Sequence, residues 1–289
     1  MRAPGTLATR AEPIAFREQR SAERALFVSI EFESAALALG LLEPGGLERA
    51  LAQASGSHGR SRTALVSLPG RAERLHLRAV HHGGLLRGLL RDRLIGLARP
   101  LAELHAHARL RALGAPVPVP VLVAARRVRG FQRAAVGTVH EEGAFDGLAL
   151  LASPSTPAAR RRAAAAAGRA VRALHDAGAR HADLHLGNLL FRAGDAGCEV
   201  WVIDLDRARL GAPPGPRERM RELMRLHRSL VKHELLIRLG TRGCTRFFAA
   251  YTGGDRDLRR ALLRQLPRER ARLAWHALGY RLARRKPSS

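Results

Sequence analysis

The segment His181-Ala-Asp-Leu-His-Leu-Gly-Asn188, followed by a hairpin signal and then Val202-Ile-Asp-Leu-Asp206, constrains this chain more than any other feature. Asp183 and Asn188 stand five residues apart, and Asp204 follows Asp183 by 21, directly behind the apolar run Val200–Ile203. Upstream, Thr156 is a candidate N-cap and Pro157 a candidate first helical residue. Ala164, Ala167, Val171 and Leu174 then make an apolar stripe that Gly178 closes. Leu189–Phe191 and Cys198–Ile203 flank Ala-Gly-Asp-Ala-Gly, which predicts a hairpin. The expected order is therefore helix, loop, strand, turn, strand, acid. Such an arrangement supplies what phosphoryl transfer needs: a carboxylate for the attacking hydroxyl and oxygen ligands for magnesium. Taken singly, each residue suits a turn or a cap equally well; the joint spacing carries the signal.

That spacing is the one found in the catalytic segment of protein kinases. It predicts Asp183 as the base and Asn188 and Asp204 as metal ligands. His181 and His185 are four apart, but they lie on an expected loop with no third ligand, which argues against a transition-metal site. The first half must supply a cation for the nucleotide phosphates, and no lysine precedes Lys232, so that cation must be arginine. Leu75–Val80 has strand period, with Leu75 and Leu77 on one face and Arg78 on the other. Arg78 is the candidate; a solvated strand-face arginine is the alternative. Arg99–Leu113 reads as a helix with Leu101, Leu104 and Ala108 on one stripe and Gly114 as its stop. Glu103 on that helix is the candidate ion-pair partner of Arg78, against a surface role among neighbouring arginines. Gly59, in Gly59-Arg-Ser-Arg62, marks a degenerate nucleotide-covering loop, and Val139, in Thr138-Val139-His140, a hinge that meets adenine.

The expected fold class is α+β: a two-lobed protein-kinase-like fold with a small sheet-rich N-lobe at 51–140 and a mainly helical C-lobe at 141–289. Residues 1–50 form a preceding segment without an assigned role, in which Ala15–Leu26 reads as an amphipathic helix before the apolar run Ala35–Leu42. Val119–Ala124 and Phe131–Val139 read as strands, with Pro118 and Pro120 restricting the first to an edge or a late start. Beyond Pro213, Pro214 and Pro216, residues 217–284 have helical period, with Leu223, Leu226 and Leu230 on one side.

Composition narrows the function classes. The chain carries 50 Lys+Arg against 25 Asp+Glu, a net charge of +25, and all but two of the basic residues are arginine. Such an excess reflects either a compositional bias or an anionic partner. With 46% apolar residues the chain can build a sizeable core, and with two cysteines it has no disulfide framework. No segment reaches the roughly 20 apolar residues of a membrane span. Arg2 and Arg10 are followed by Glu12 and Glu18 rather than an apolar stretch, so no secretory signal is expected and a cytoplasmic location is.

The chain resembles the lipopolysaccharide kinase family, and within it the 3-deoxy-D-manno-octulosonic acid (Kdo) kinases. The resembling pieces are Leu77-Arg-Ala-Val-His-His-Gly-Gly84, Leu110-Arg-Ala-Leu-Gly-Ala-Pro-Val-Pro118, His181–Asn188, Ile203-Asp-Leu-Asp-Arg207 and Arg225-Leu-His-Arg-Ser-Leu-Val-Lys232, spanning about residues 57–251. The resemblance implies ATP and Mg2+ as cofactors. It implies a lipid A precursor carrying Kdo as acceptor, reached peripherally at the cytoplasmic face of the inner membrane, whose anionic surface would attract the arginines. By position it implies Asp183 as base, Asn188 and Asp204 as metal ligands, Arg78 on the phosphates and Glu103 as its partner. His81-His82 stand where the family usually has aromatic and basic residues. Ala182 replaces the arginine of the protein-kinase His-Arg-Asp, and only about ten residues separate Asp206 from the helix near Arg217. A peptide-docking segment has little room there, which favours a small or carbohydrate acceptor. Other readings stay open: another small-molecule or heptose kinase of this fold, or a non-catalytic basic protein on membrane or nucleic acid. Nucleic acid is not the expected partner, since nucleic-acid readers often add aromatic stacking platforms and only 4% of this chain is aromatic.

Overall fold

A hairpin opens the structure where the sequence predicts a helix. Strands β1 (Phe16–Ser21) and β2 (Arg24–Ser29) pair antiparallel, with Ser21 opposite Arg24 across a two-residue turn. Leu26 and Val28, two residues apart, are the fully buried positions, which is strand period rather than helix period. The second reason is remote: β2 also pairs with a strand a hundred residues further on. The structure, a computed structural model, describes residues 13–53, 63–81, 93–194 and 197–284, with side chains as far as Arg272. It divides into two units, one running up to Gly143 and including Asp204–Ala208, the other made of Ala144–Ile203 and the chain from Arg209 on.

In the first unit a 3-10 turn (Ile30–Phe32) leads to helices α1 (Glu33–Ala38) and α2 (Gly46–Ala52). Strands β3 (Thr63–Ser67) and β4 (Arg74–Ala79), helix α3 (Ala98–Ala112) and strands β5 (Pro120–Val128) and β6 (Phe131–Val139) follow. The strands form one antiparallel sheet in the order β1-β2-β5-β6-β4-β3. Pro120 is tolerated inside this sheet because it opens β5, where the register slips between Pro120 and Leu122. On one face Leu26, Val28, Leu75, Leu77 and Leu122 pack with Phe32, Ala36 and Leu47 of the early helices. On the other, Val80, Val123 and Val136 pack with Leu104 of α3. Residues before position 51 thus contribute two strands and one covering layer. Alternation along β4 sends Leu75 and Leu77 to the first face and His76 and Arg78 to the face that α3 covers. Gly59 lies outside the described residues, as do His82 and Gly83-Gly84.

The second unit begins with β7 (Phe145–Asp146), α4 (Gly147–Ala152) and the long helix α5 (Pro157–Asp176). The Thr156 hydroxyl accepts the Ala159 N–H at 3.1 Å, capping α5, with Pro157 in its first turn. Short strand β8 (Ala179–Arg180), the hairpin β9 (Leu189–Gly194) and β10 (Gly197–Val202), and β11 (Arg209–Leu210) come next. Helices α6 (Pro216–Lys232), α7 (Leu236–Thr252) and α8 (Arg256–Arg284) complete the unit. β7 joins the hairpin to make three strands, and β11 pairs with β8. The alanine-rich α5 lets α7 come in at backbone distance: a Cβ at Gly168 would sit 2.3 Å from the Phe247 carbonyl oxygen.

Candidate active site

The loop after β8 is built around His181, whose ring is buried. The Asp183 N–H donates to its Nδ1 at 3.2 Å, so Nε2 carries the proton and donates to the Ile203 carbonyl at 3.0 Å. Both ring nitrogens are therefore spoken for, which removes His181 as a metal ligand. One bond of this histidine reaches the strand end that precedes Asp204.

Helix α6 supports the loop from beneath. Glu222 accepts the His181 N–H at 3.0 Å, Arg225 donates to the His181 carbonyl at 3.1 Å, and Ser229 accepts the Leu186 N–H at 3.3 Å. These three residues recur at helical spacing on one face of α6. Glu222 lies 3.2 Å from Nε2 of the buried His175, whose Nδ1 meets the Tyr251 hydroxyl at 2.6 Å. Burial pushes that phenol up to about 12 despite the guanidinium of Arg219, so it stays protonated and available as a donor. Glu222, His175 and Tyr251 are not among the residues expected from the sequence. Charged residues inside the apolar stripe of α6 were the available signal, since a buried charge needs a partner.

The loop pins the Asp183 backbone and frees its side chain. Asn188 Nδ2 donates to the Asp183 carbonyl at 2.9 Å, and the Asn188 carbonyl accepts the Ile203 N–H at 3.0 Å. The Asp183 side chain is 70% exposed, with His185 Nε2 3.7 Å from its carboxylate. With Nδ2 committed, Asn188 presents Oδ1 as its acceptor.

In the first unit a second cluster forms. Arg78 Nη2 lies 2.5 Å from Glu103 Oε1 and 3.6 Å from Asp204 Oδ1. Glu103 is 3% exposed, and its Oε2 has no hydrogen-bond partner among the described residues. Burial pushes the Glu103 carboxyl up while Arg78 pulls it back. Burial opposes the charge on Arg78, but Glu103, Asp204 and Asp206 outweigh it and hold the guanidinium above its ordinary value. Asp204 has φ 61°, a left-handed conformation that costs a residue with a side chain about 1–2 kcal/mol. Asp206 is gripped on both carboxylate oxygens by Arg99, which also donates to the His81 carbonyl at 3.1 Å. Two guanidinium groups and three carboxylates make this corner of a strongly basic chain locally acidic.

Asn188, in the second unit, and Asp204, in the first, each offer a hard oxygen donor of the kind magnesium takes. Val139 ends β6 with its N–H donating to the Val119 carbonyl at 2.8 Å, and the His140 N–H donates to the Arg74 carbonyl at 2.8 Å. The backbone donors of Val139 and His140 are thus used within the first unit.

A family model described as the lipopolysaccharide kinase (Kdo/WaaP) family matches residues 51–251. A 3-deoxy-D-manno-octulosonic acid kinase of Haemophilus influenzae (strain PittEE) is 34% identical over 164 residues, covering 54% of this chain and 65% of that one. The kinase of the same name from Xanthomonas euvesicatoria pv. vesicatoria (strain 85-10) is 36% identical over 160 residues, covering 54% and 61%. The chain thus spans just under two thirds of the length of these curated relatives. Among solved structures, "WaaP in complex with acyl carrier protein" superposes with a TM-score of 0.52 at 22% identity, covering 78% of this chain and 88% of that chain. This last likeness is one of fold.

Proposed function

This chain belongs to the lipopolysaccharide kinase (Kdo/WaaP) family, and on that premise we propose that it moves the γ-phosphoryl group of ATP to a sugar hydroxyl, that of Kdo on a lipid A precursor. In this proposal the sheet-rich and helical units are the lobes of a protein-kinase-like fold. The acceptor oxygen attacks the γ-phosphorus, the bond to the β-phosphate oxygen breaks, ADP leaves, and the hydroxyl proton passes to Asp183. The exposed carboxylate on a pinned backbone suits that role, because the group must meet an acceptor without moving its own loop. Asn188 and Asp204 would hold magnesium, Arg78 would neutralise the non-transferred phosphates, and Glu103 would orient Arg78. Magnesium, when bound, offsets the charge on the β- and γ-phosphates. Val139 lies in the segment proposed to meet adenine.

The observation that carries the proposal is the approach of Arg78, in mid-strand, to Asp204 at 3.6 Å. It brings the proposed phosphate-binding cation to the proposed metal-binding acid, two groups far apart in sequence. A sugar acceptor is favoured over a peptide because the segment between Asp206 and α6 is short and β11 ties it to β8. Among the described residues no helix is long and apolar enough to cross a membrane. We place the protein peripherally on the anionic cytoplasmic face of the inner membrane, each exposed arginine near that surface contributing about 1 kcal/mol. The test is ATP turnover against Kdo-bearing lipid A precursor, heptose-bearing and peptide acceptors, with co-sedimentation on anionic and neutral vesicles. Transfer confined to peptides overturns the acceptor assignment, and equal retention on both vesicles overturns the surface assignment.

A second reading concerns the helical unit, which has a partly open apolar pocket of about 460 Å³ lined by Leu151, Ala167, Leu189, Met224, Phe247 and Leu266 among others. Its volume and apolar walls suit a fatty acyl chain, and the structurally similar WaaP was solved with acyl carrier protein. Mass spectrometry of the purified protein under non-denaturing conditions should show a bound acyl carrier protein or acyl chain. Displacement of neither by Ala167→Trp would contradict this assignment.

A further inference from the structure

Helix α3 presents Arg99 and Glu103 four residues apart, hence on one face. Glu103 holds Arg78, and Arg99 holds Asp206 through two parallel hydrogen bonds, the geometry in which arginine fixes a carboxylate most rigidly. Arg78 in turn lies 3.6 Å from Asp204. Arg99 also donates to the His81 carbonyl, just beyond the strand that carries Arg78. One helix turn therefore brackets both partners of the Arg78–Asp204 approach. Asp204 needs such outside support. Its backbone is in the left-handed region, and the turn behind it is closed by the Ala208 N–H on the Leu205 carbonyl at 2.9 Å, with Leu205 buried. A residue in that conformation keeps its place only when its surroundings hold it there.

We propose that Arg99 is a positioning residue: through Asp206 it fixes the direction of the Asp204 carboxylate, and so sets how strongly the site takes magnesium-bound nucleotide. This rests on the assignment of Asp204 as a metal ligand. Arg99 and Asp206 are bonded to each other, and the proposal gives neither a contact to metal or phosphate. Their effect reaches the site through the Asp204 backbone, as outer-layer partners of metal ligands do elsewhere.

The test is calorimetric affinity for ATP with and without Mg2+, on the full chain, for the parent, Asp206→Asn, Arg99→Met, Arg99→Lys and the exchange variant Arg99→Asp with Asp206→Arg. The two disrupting variants should bind Mg2+-ATP about 10- to 100-fold more weakly, the usual effect of losing such a partner. Their Mg2+-free ATP affinity should change less than threefold. Arg99→Lys and the exchange variant should recover part of the loss. Glu199→Gln, which breaks the Arg192–Glu199 pair of the β9–β10 hairpin, should leave both affinities as in the parent. A merely structural ion pair would lower both affinities together, and that result overturns the proposal. So does an unchanged Mg2+-ATP affinity in both Asp206→Asn and Arg99→Met. If the parent itself gains no affinity from Mg2+, the Asp204 assignment falls, and this inference with it; failure confined to the variants defeats the positioning role alone.

Discussion

Replacing Glu103 by alanine should destabilise the first unit by roughly 3 kcal/mol. Removing one partner of a buried ion pair typically costs about 3–5 kcal/mol because the other charge stays buried and uncompensated. Here the low end applies, since Asp204 remains 3.6 Å from the guanidinium and Arg78 is 20% exposed. At about 2–4 °C per kcal/mol for a chain of this size, the melting temperature should fall by about 6–12 °C. Replacing both partners, Arg78→Met with Glu103→Leu, should cost less than Glu103→Ala alone, because no charge is left stranded. Urea denaturation of the parent, Arg78→Met, Glu103→Leu and the pair gives the coupling energy, expected to exceed about 1 kcal/mol. Additivity within about 0.5 kcal/mol would refute the reasoning. It would mean that each group finds water or another partner as readily as it finds the other.

Two further outcomes follow from particular contacts. His76 is held down at about 4, first by burial and then by the charges of His140 and Arg78. Its folded value is below the ordinary 6.5, so the unfolded chain binds the proton more readily, and stability falls as pH drops from about 6.5 through 4. The loss approaches about 3 kcal/mol; His76→Leu should flatten the stability profile over that window, and an unchanged slope would contradict it. Gly168→Ala would stabilise an ordinary helix interior by about 0.5–1 kcal/mol. Here the new methyl would sit 2.3 Å from the Phe247 oxygen and 3.0 Å from the Tyr251 nitrogen. We therefore expect a loss of about 2 kcal/mol or more, read by urea denaturation; a stabilised variant would show that α5 and α7 are less tightly set than described.

Features with local causes were legible in the sequence. Alternation marked β4, the Thr156-Pro157 start marked α5, and the glycine-bounded runs marked the β9–β10 hairpin. The Arg78–Glu103 contact was legible too, because strand and helix periods put each residue on a definite face. What was missed depends on distant pairing. Residues 16–29 become strands because β2 joins β5, which no local pattern encodes. Arg99 and Asp206, or Arg225 and His181, are joined by charges and backbone groups far apart in sequence. In a chain with 50 basic residues, nothing local says which arginine meets which acid.

The most direct test of phosphotransfer by this chain is a paired measurement on the parent and Asp183→Ala: phosphate incorporated into Kdo-bearing lipid A precursor at saturating ATP, and Mg2+-ATP affinity by calorimetry. The Asp183 side chain is 70% exposed and its backbone is held by Asn188 and His181, so the variant should fold and bind nucleotide as the parent does. Turnover should fall about 100- to 10,000-fold, the range for loss of a positioned base. Turnover within threefold of the parent, with affinity unchanged, would contradict it.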